Sequence, residues 1–557
     1  MGQNHLNIGL LGYENSSALD QCIHDKTAGA TMSAAVTGKR KRDGAQKNVQ
    51  FKKAATQAAV KKHAEKSAPA KPQEKALPKA TETETPNGTS ATLGPANGEF
   101  EQDIHLQIVT GSYERILHGF SATIPRKALS QPQRKASSPQ NGTEEPTISF
   151  SDTFLFAAHA SSIRCLAISP PTSSSKRTLA TGSTDERINL YSISTSPPTS
   201  TPSKTQPTSL SSTISTSSNP ANRNLGTLLH HDRPVTALHF PSKTKLFSSA
   251  EDSTLAITRT RDWTLLSSIR APIPKPLGRP SGDTAGPGEV PAGVNAFAVH
   301  PSQRLMLSVG RGERCMRLWN LITGKKAGVL NFEREVLGQV GEGKFGTGEG
   351  RNVLWDAEGE IFVVGFERGA VVFGIDDSKA KAVVKADRPT KMQQMRFLPG
   401  DAGLGGRVLA MSTEDGRVLF FDLSSLPEDV DSAALPQCPL VAQLGGRVAG
   451  TVGRIKDFEL LQAPAFPAGE APLIVVTASS DGAVRIWSLL PSEMQSSKDG
   501  PSQVGHLVGT SETANRITCL GAFVLDGKAV DETNGEEKVI RDEEPESGSE
   551  DEDEDGE

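Results

Sequence analysis

Short apolar runs with period-two alternation recur along the chain, each pair joined by a tight acidic turn. Thr477–Leu489, TASSDGAVRIWSL, shows the unit most clearly. A small-residue strand enters the turn at Asp481-Gly482, and an alternating strand leaves it and ends on Trp487. Asp caps turn N–H groups and Gly accepts positive φ, so the pair suits a tight reversal. Val484 and Ile486 alternate with Arg485 and Trp487, as a strand with two unlike faces requires.

The same spacing, an acid followed six positions on by an aromatic residue or Thr, occurs seven times. The acids are Glu114, Asp185, Asp252, Glu313, Glu367, Asp415 and Asp481. Their partners are Phe120, Tyr191, Thr258, Trp319, Phe373, Phe421 and Trp487. Further strands precede several turns, among them Ile163–Ile168, Val235–Phe240 and Val294–Val299. Short strands repeated in this way predict an all-β, seven-bladed propeller of WD40-like blades. Leu106–Ser112, Ile116–Phe120 and Thr153–Ala157 lack an opening strand, while Arg516–Phe523 resembles one and has no turn after it. The last blade is therefore expected to be closed by both chain ends, which removes an exposed sheet edge.

The repeat makes residues 104–525 one propeller domain. Blades of about 42 residues fill only part of that span. Most of the excess falls in Pro-, Ser-, Thr- or Gly-rich inserts at 124–148, 194–224, 270–292 and 491–513, which are expected to be disordered loops. Residues 1–103 read as a disordered basic arm and 526–557 as a disordered acidic tail. Met32 opens a plausible second start.

Charge is nearly balanced overall, at −5, but unevenly placed. Residues 32–80 carry 13 Lys/Arg against 3 acids, and 531–557 carry 15 acids against 2 bases. Lys39, Arg40, Lys41 and Arg42 form a compact cluster that reads as a nuclear import signal or as a solvated basic tail, and the two can coexist. The arm can also touch rRNA phosphates nonspecifically. The acidic tail reads equally as a solvated spacer or as a segment that engages basic proteins. The sequence has no run of 18 apolar residues, so no membrane contact is expected, and Met1–Ala30 lacks the pattern of a signal peptide. Five scattered cysteines without a CxxC suit a reducing compartment and buried thiols.

His159, Ser183, Asp185 and Tyr191 are the candidate hydrogen-bonded set of one blade. Similar residue types build a catalytic triad, but this set follows the repeat rather than a single cleft, so the structural role is the expected one. Gly338–Phe345 nearly matches a phosphate-binding loop. It ends on Phe, which cannot hold magnesium, and contains a Glu that repels phosphate, so it reads as a flexible connection. No catalytic residue, cofactor site, metal site or small-molecule substrate is expected, and the chain reads as a non-enzyme.

With those residues laid out, the chain resembles the p21-activated-kinase-interacting proteins, whose fungal members are the maintenance-of-killer ribosome-assembly factors. The likeness runs through IVTGSYERILHGF (108–120), LATGSTDERINLYSI (179–193), RVLAMSTEDGRVLFFDL (407–423), VTASSDGAVRIWSL (476–489) and NRITCLGAF (515–523). The long arm, the large inserts and the acidic tail depart from the pattern. The resemblance implies a noncatalytic scaffold in the nucleus and nucleolus, needed for large (60S) subunit maturation and pre-rRNA processing. Its implied partners are pre-60S particles with other assembly factors or ribosomal proteins, and it is expected to be monomeric within the particle. The alternative that the resemblance carries is a signalling adaptor that negatively regulates a p21-activated kinase.

Overall fold

The computed structural model describes residues 103–130, 148–172, 175–197, 222–273, 292–343, 346–376, 378–399, 407–427, 434–464, 470–494 and 500–526. The basic arm, including Lys39–Arg42, and the acidic tail beyond Asp526 lie outside them, as do most residues of the first three inserts.

Among the described residues the strands form seven antiparallel sheets of four, each a blade, and one carries a fifth short parallel strand. The first blade is built by both ends of the propeller: Ile517–Val524 lies innermost, followed by Ile104–Ser112, Ile116–Ile124 and Ser149–Ala157. Leu106 pairs with Val524 and Thr110 with Leu520, which is the expected closure. The second blade runs Ile163–Ile168, Lys176–Ser183, Ile188–Ser194 and Arg223–Leu228, and the third Val235–Ser242, Lys245–Ala250, Thr254–Arg259 and Leu265–Arg270. The remaining inner strands are Val294–Val299, Asn352–Trp355, Met392–Phe397 and Ile455–Gln462. Each inner strand packs against the next, and Ile517–Val524 packs against both Ile455–Gln462 and Ile163–Ile168, so the ring is complete.

The apolar pattern follows from this stacking. Middle strands are covered on both faces, so Leu473–Ser479 is buried at every position. Outer strands face solvent: in Arg223–Leu228 only Leu228 is buried. Each of seven core clusters sits between two neighbouring blades. The cluster joining the seventh blade to the first contains Leu106, Phe120, Ile474, Ile486 and Leu520. Burying one such side chain is worth roughly 1.5–3 kcal/mol, so cohesion comes from pairwise blade contacts and closing the row into a ring adds one more of them.

All seven predicted acids lie in or beside the turn between a blade's second and third strands. At Gly482, φ is +92°, and a Cβ there would meet Asn515 O at 2.8 Å, so the turn requires Gly. Arg115, Glu186 and Ser253 occupy the matching place in other blades with φ of 72°, 69° and 63°.

Three expectations need correction. The segment 491–513, expected as a disordered insert, contains His506–Glu512, the outer strand of the seventh blade, paired with Ala483–Leu489. The start of 124–148 is a short helix, Arg126–Ser130, that docks on that same blade. Leu129 is fully buried there, Leu129 O accepts the Ser488 hydroxyl at 2.8 Å, and Ala128 O lies 3.0 Å from His506 Nε2. The Gly-rich stretch after residue 333 is not simply a connection, because Arg334–Val340 is a helix with Gly341 as its left-handed cap. Its Leu337 and Val340 join the core between the fourth and fifth blades.

Candidate interaction surface and the polar sets behind it

The predicted set of the second blade is partly assembled. His159 Nδ1 lies 3.1 Å from Asp185 Oδ2, but His159 Nε2 meets Thr181 Oγ1 at 2.8 Å rather than Ser183. Ser183 instead donates to Ser162 O at 2.8 Å and accepts the Asp185 N–H at 3.2 Å. Tyr191 lies outside the relay and packs edge-on against Phe156 at 5.6 Å. Thr181 and Ser183 share a strand face because side chains alternate with period two, so the sequence named the right face and the wrong hydroxyl.

The third blade repeats the arrangement. His231 Nδ1 is 3.2 Å from Asp252, and His231 Nε2 is 2.8 Å from Ser248 Oγ. In the fourth and seventh blades a Trp replaces His: Trp319 Nε1 donates to Ser308 at 2.8 Å and Trp487 Nε1 to Thr477 at 3.1 Å. Burial pulls the His159 imidazole below its ordinary range, against the pull of Asp185, so it is neutral in the fold. Burial opposes ionisation of Asp252, yet its bonds from His231 and Thr254 hold it down at about 2.

Hydroxyl, imidazole and carboxylate stand here in the order of a hydrolytic triad. Thr181 and Ser248 are sealed in the core, however, as are both His side chains. No substrate reaches them, and the same set occurs in two blades. Their work is to satisfy buried polar groups, each of which would otherwise cost about 1–3 kcal/mol.

The other turn acids are also paired. Glu114 accepts the Arg516 N–H at 3.0 Å, and Glu313 forms an ion pair with Arg317. Glu367 pairs with Lys391 at 2.6 Å, Asp415 with Arg417 at 2.7 Å, and Asp481 with Arg485 at 3.7 Å.

A second series escaped the sequence reading. The polar residue near the start of each inner strand reaches across to a neighbouring blade. Thr518 Oγ1 donates to Ile163 O at 2.6 Å, and Thr236 Oγ1 to Val294 O at 2.6 Å. Asn295 Nδ2 donates to Gly350 O at 3.0 Å, and Asn352 Nδ2 to Gln393 O at 2.9 Å. Asp457 joins three blades, accepting the Leu520 N–H at 2.9 Å and pairing with Arg396 at 3.2 Å. The signal was present in the strands ITCLGAF, VTALHF and VNAFAV, where one polar residue follows the first apolar one.

These strands open onto a cavity of about 380 Å³ at the turn-bearing end of the channel, lined by Tyr113, Arg164, Gln393, Lys456, Arg516 and Thr518. The Arg516 guanidinium lies 5.6 Å over the Tyr113 ring. Burial, with Arg454 and Arg516 beside it, pulls the Lys456 ammonium below its usual range. Tyr113 is 60 % exposed, and Val448 and Val452 stand out from the loop that leads into the seventh blade. With Arg164 already paired to Glu251 at 2.6 Å, the mouth offers the cations of Lys456 and Arg516, the amides of Gln393 and Gln394 and the Tyr113 ring, a combination suited to a polypeptide carrying acidic groups. Among the described residues no group of His, Cys, Asp and Glu could hold a metal ion, and no helix is long and apolar enough to cross a membrane.

Seven four-stranded blades with acidic turns and His–Asp–Ser/Thr sets define a WD40 β-propeller, a class that generally acts as a noncatalytic scaffold for protein–protein interaction. The sequence model of the WD domain, G-beta repeat, matches residues 150–192. Within that class the chain is similar to p21-activated protein kinase-interacting protein 1-like of Danio rerio, 25% identical over 416 residues, covering 75% of this chain and 80% of the relative. It is also similar to Protein MAK11 of Saccharomyces cerevisiae, 26% identical over 441 residues, covering 74% and 82%. Shk1 kinase-binding protein 15 of Schizosaccharomyces pombe is 26% identical over 253 residues, covering 45% and 53%. The resemblance to the p21-activated-kinase-interacting proteins and their fungal counterparts is thus borne out.

Proposed function

We propose that this protein is a noncatalytic WD40 scaffold in the assembly and maturation of the large ribosomal subunit in the nucleolus, entering it through its basic arm. The observation that carries the reading is the similarity to MAK11 across most of both chains. It is supported by the fate of the polar residues, since the triad-like groups are consumed in holding blades together. What is left for function is surface, above all the channel mouth around Tyr113, Lys456 and Arg516. Its partners on this reading are pre-60S particles and their ribosomal proteins or assembly factors, with nonspecific rRNA contact through the arm.

The test is sedimentation of the protein with large-subunit precursors on a gradient, together with precursor-rRNA processing after its depletion. The proposal expects co-migration and a processing defect. Protein confined to light fractions with normal processing overturns it. The Danio and Schizosaccharomyces relatives are named for kinase interaction and kinase binding, which favours a second reading, a signalling adaptor for a p21-activated kinase, here taken as a negative regulator. Direct binding of the purified full chain to the kinase regulatory region would support that reading, and no binding would dismiss it.

A further inference from the structure

The ring's opposite end carries a basic sector, and the described chain stops beside it. An open cavity of about 440 Å³ between the second and third blades is lined by Ser169, Thr172, Lys176, Arg177, Ser192 and Lys243, among others. Thr260 bonds to both strand-linking residues of the third blade, Lys243 O at 2.6 Å and Thr244 O at 3.0 Å, which brings Arg261 alongside. Asp262 is the acid of this hairpin, and it is paired with Arg259 at 3.1 Å. The sequence around the second blade is short of acids: between Asp152 and Asp232 the only carboxylates are Asp185 and Glu186, both at the turn end, and the acid that acts on Arg177 comes from the end of the described chain, Asp526.

The chain leaves this region at Asp526. Its N–H donates to Thr195 O at 2.8 Å, and the Thr195 N–H donates to Ser175 O at 2.9 Å, next to Lys176 in the cavity wall. Arg177 lies over Phe523 at 4.6 Å, and its buried Nε has no hydrogen-bond partner among the described residues. Five residues past Asp526 the composition changes to 15 acids against 2 bases over 531–557. The chain length from Asp526 is enough to reach back over this sector, and tethering holds the segment at an effective concentration on the order of millimolar.

We propose that the acidic segment 531–557 docks in cis on the basic sector of the second and third blades, seated on Lys176, Arg177, Lys243 and their neighbours. The segment would cover a surface that otherwise attracts any polyanion, and would give way where a basic partner takes up its carboxylates. This does not depend on the ribosomal reading. The interaction is mainly Coulombic, so salt should weaken it steeply.

Zero-length carbodiimide coupling on the monomeric full chain, read by mass spectrometry, tests it. Carboxylates of 531–557 are expected to couple to Lys176, Lys243 and Lys245 in preference to the arm lysines or to Lys391 and Lys456 at the other end. Arg261→Glu, which leaves those lysines in place, should cut the coupling at Lys243 about fivefold, and 0.5 M salt should do at least as much. Coupling chiefly to lysines 39–79, to Lys391 and Lys456, or at a yield unchanged by Arg261→Glu would overturn the proposal. So would a sector that binds RNA while the tail couples elsewhere.

Discussion

The second and third blades and the fourth and seventh blades solve one problem with different chemistry. Each must satisfy a hydroxyl buried on its second strand. The second and third use His backed by a turn Asp, as in His231–Asp252–Ser248. The fourth and seventh use a Trp N–H, as in Trp487–Thr477. The His version spends two ionisable groups and ties the turn to the loop before the blade. The Trp version spends none and couples the hydroxyl to a large apolar ring. A blade of the first kind should be stronger but acid-sensitive, and one of the second kind weaker but indifferent to pH.

The largest effect is expected at the acids that join several partners. Asp252→Ala leaves the Asp232 and Thr254 N–H groups without their acceptor and removes one of the two partners of His231 Nδ1, the other being Thr254 Oγ1 at 2.8 Å, and should cost about 3 kcal/mol in urea unfolding. Asp457→Ala leaves the Leu520 and Phe458 N–H groups without their acceptor and takes one of two paired carboxylates from Arg396, which keeps Glu459 at 3.0 Å, and should cost a similar amount. A loss below about 1 kcal/mol at either site would mean that the relays are ornamental.

Trp487→Phe keeps most of the ring and removes one N–H bond, so the expected loss is about 1–1.5 kcal/mol. That loss should be the same at pH 7.5 and pH 5.5, because neither Trp nor Thr titrates in this range. The His blades should behave differently. The folded pKa of His159 lies below the unfolded value of about 6.5, so the unfolded chain takes up the proton first. Stability is then full above about pH 6.5 and falls as pH drops toward the lowered folded value. Asp252, held at about 2, contributes stability above about pH 4 that is lost as pH falls toward 2. His159→Gln should flatten the first of these acid steps in a urea–pH series. An unchanged step would break the contrast between the two kinds of blade.

The smallest effect is a gain. Glu186 sits at φ 69°, where the seventh blade has Gly482. Glu186→Gly should stabilise the turn by about 0.5 kcal/mol, the relief of left-handed strain less the added backbone entropy. A loss of stability would show that the Glu186 side chain contributes more than its conformation costs.

The turns and the closure could be read from the residues because each leaves a strong local mark: an acid, a small-residue approach and an alternating strand at fixed spacing. The outer strands leave little. His506–Glu512 has no fully buried position, so nothing in its sequence separates it from the polar insert around it. The helix Arg334–Val340 hid inside a Gly-rich string, although Leu337 and Val340 stand three apart, on one helical face. The choice between Thr181 and Ser183 was beyond the sequence for a geometric reason. Both point the same way from one strand, and only the depth of His159 decides which it meets.

The central claim is that the buried chemistry holds the ring while the surface performs the function. Tyr113→Ser with Arg516→Glu alters the channel mouth at two exposed positions and leaves the blade relays untouched. The expected result is a urea midpoint equivalent to within about 0.5 kcal/mol of the unsubstituted chain, with the protein moved from large-subunit-precursor fractions to light fractions on a gradient. Retention of the double variant in the heavy fractions, or absence of the unsubstituted protein from them, would contradict the account.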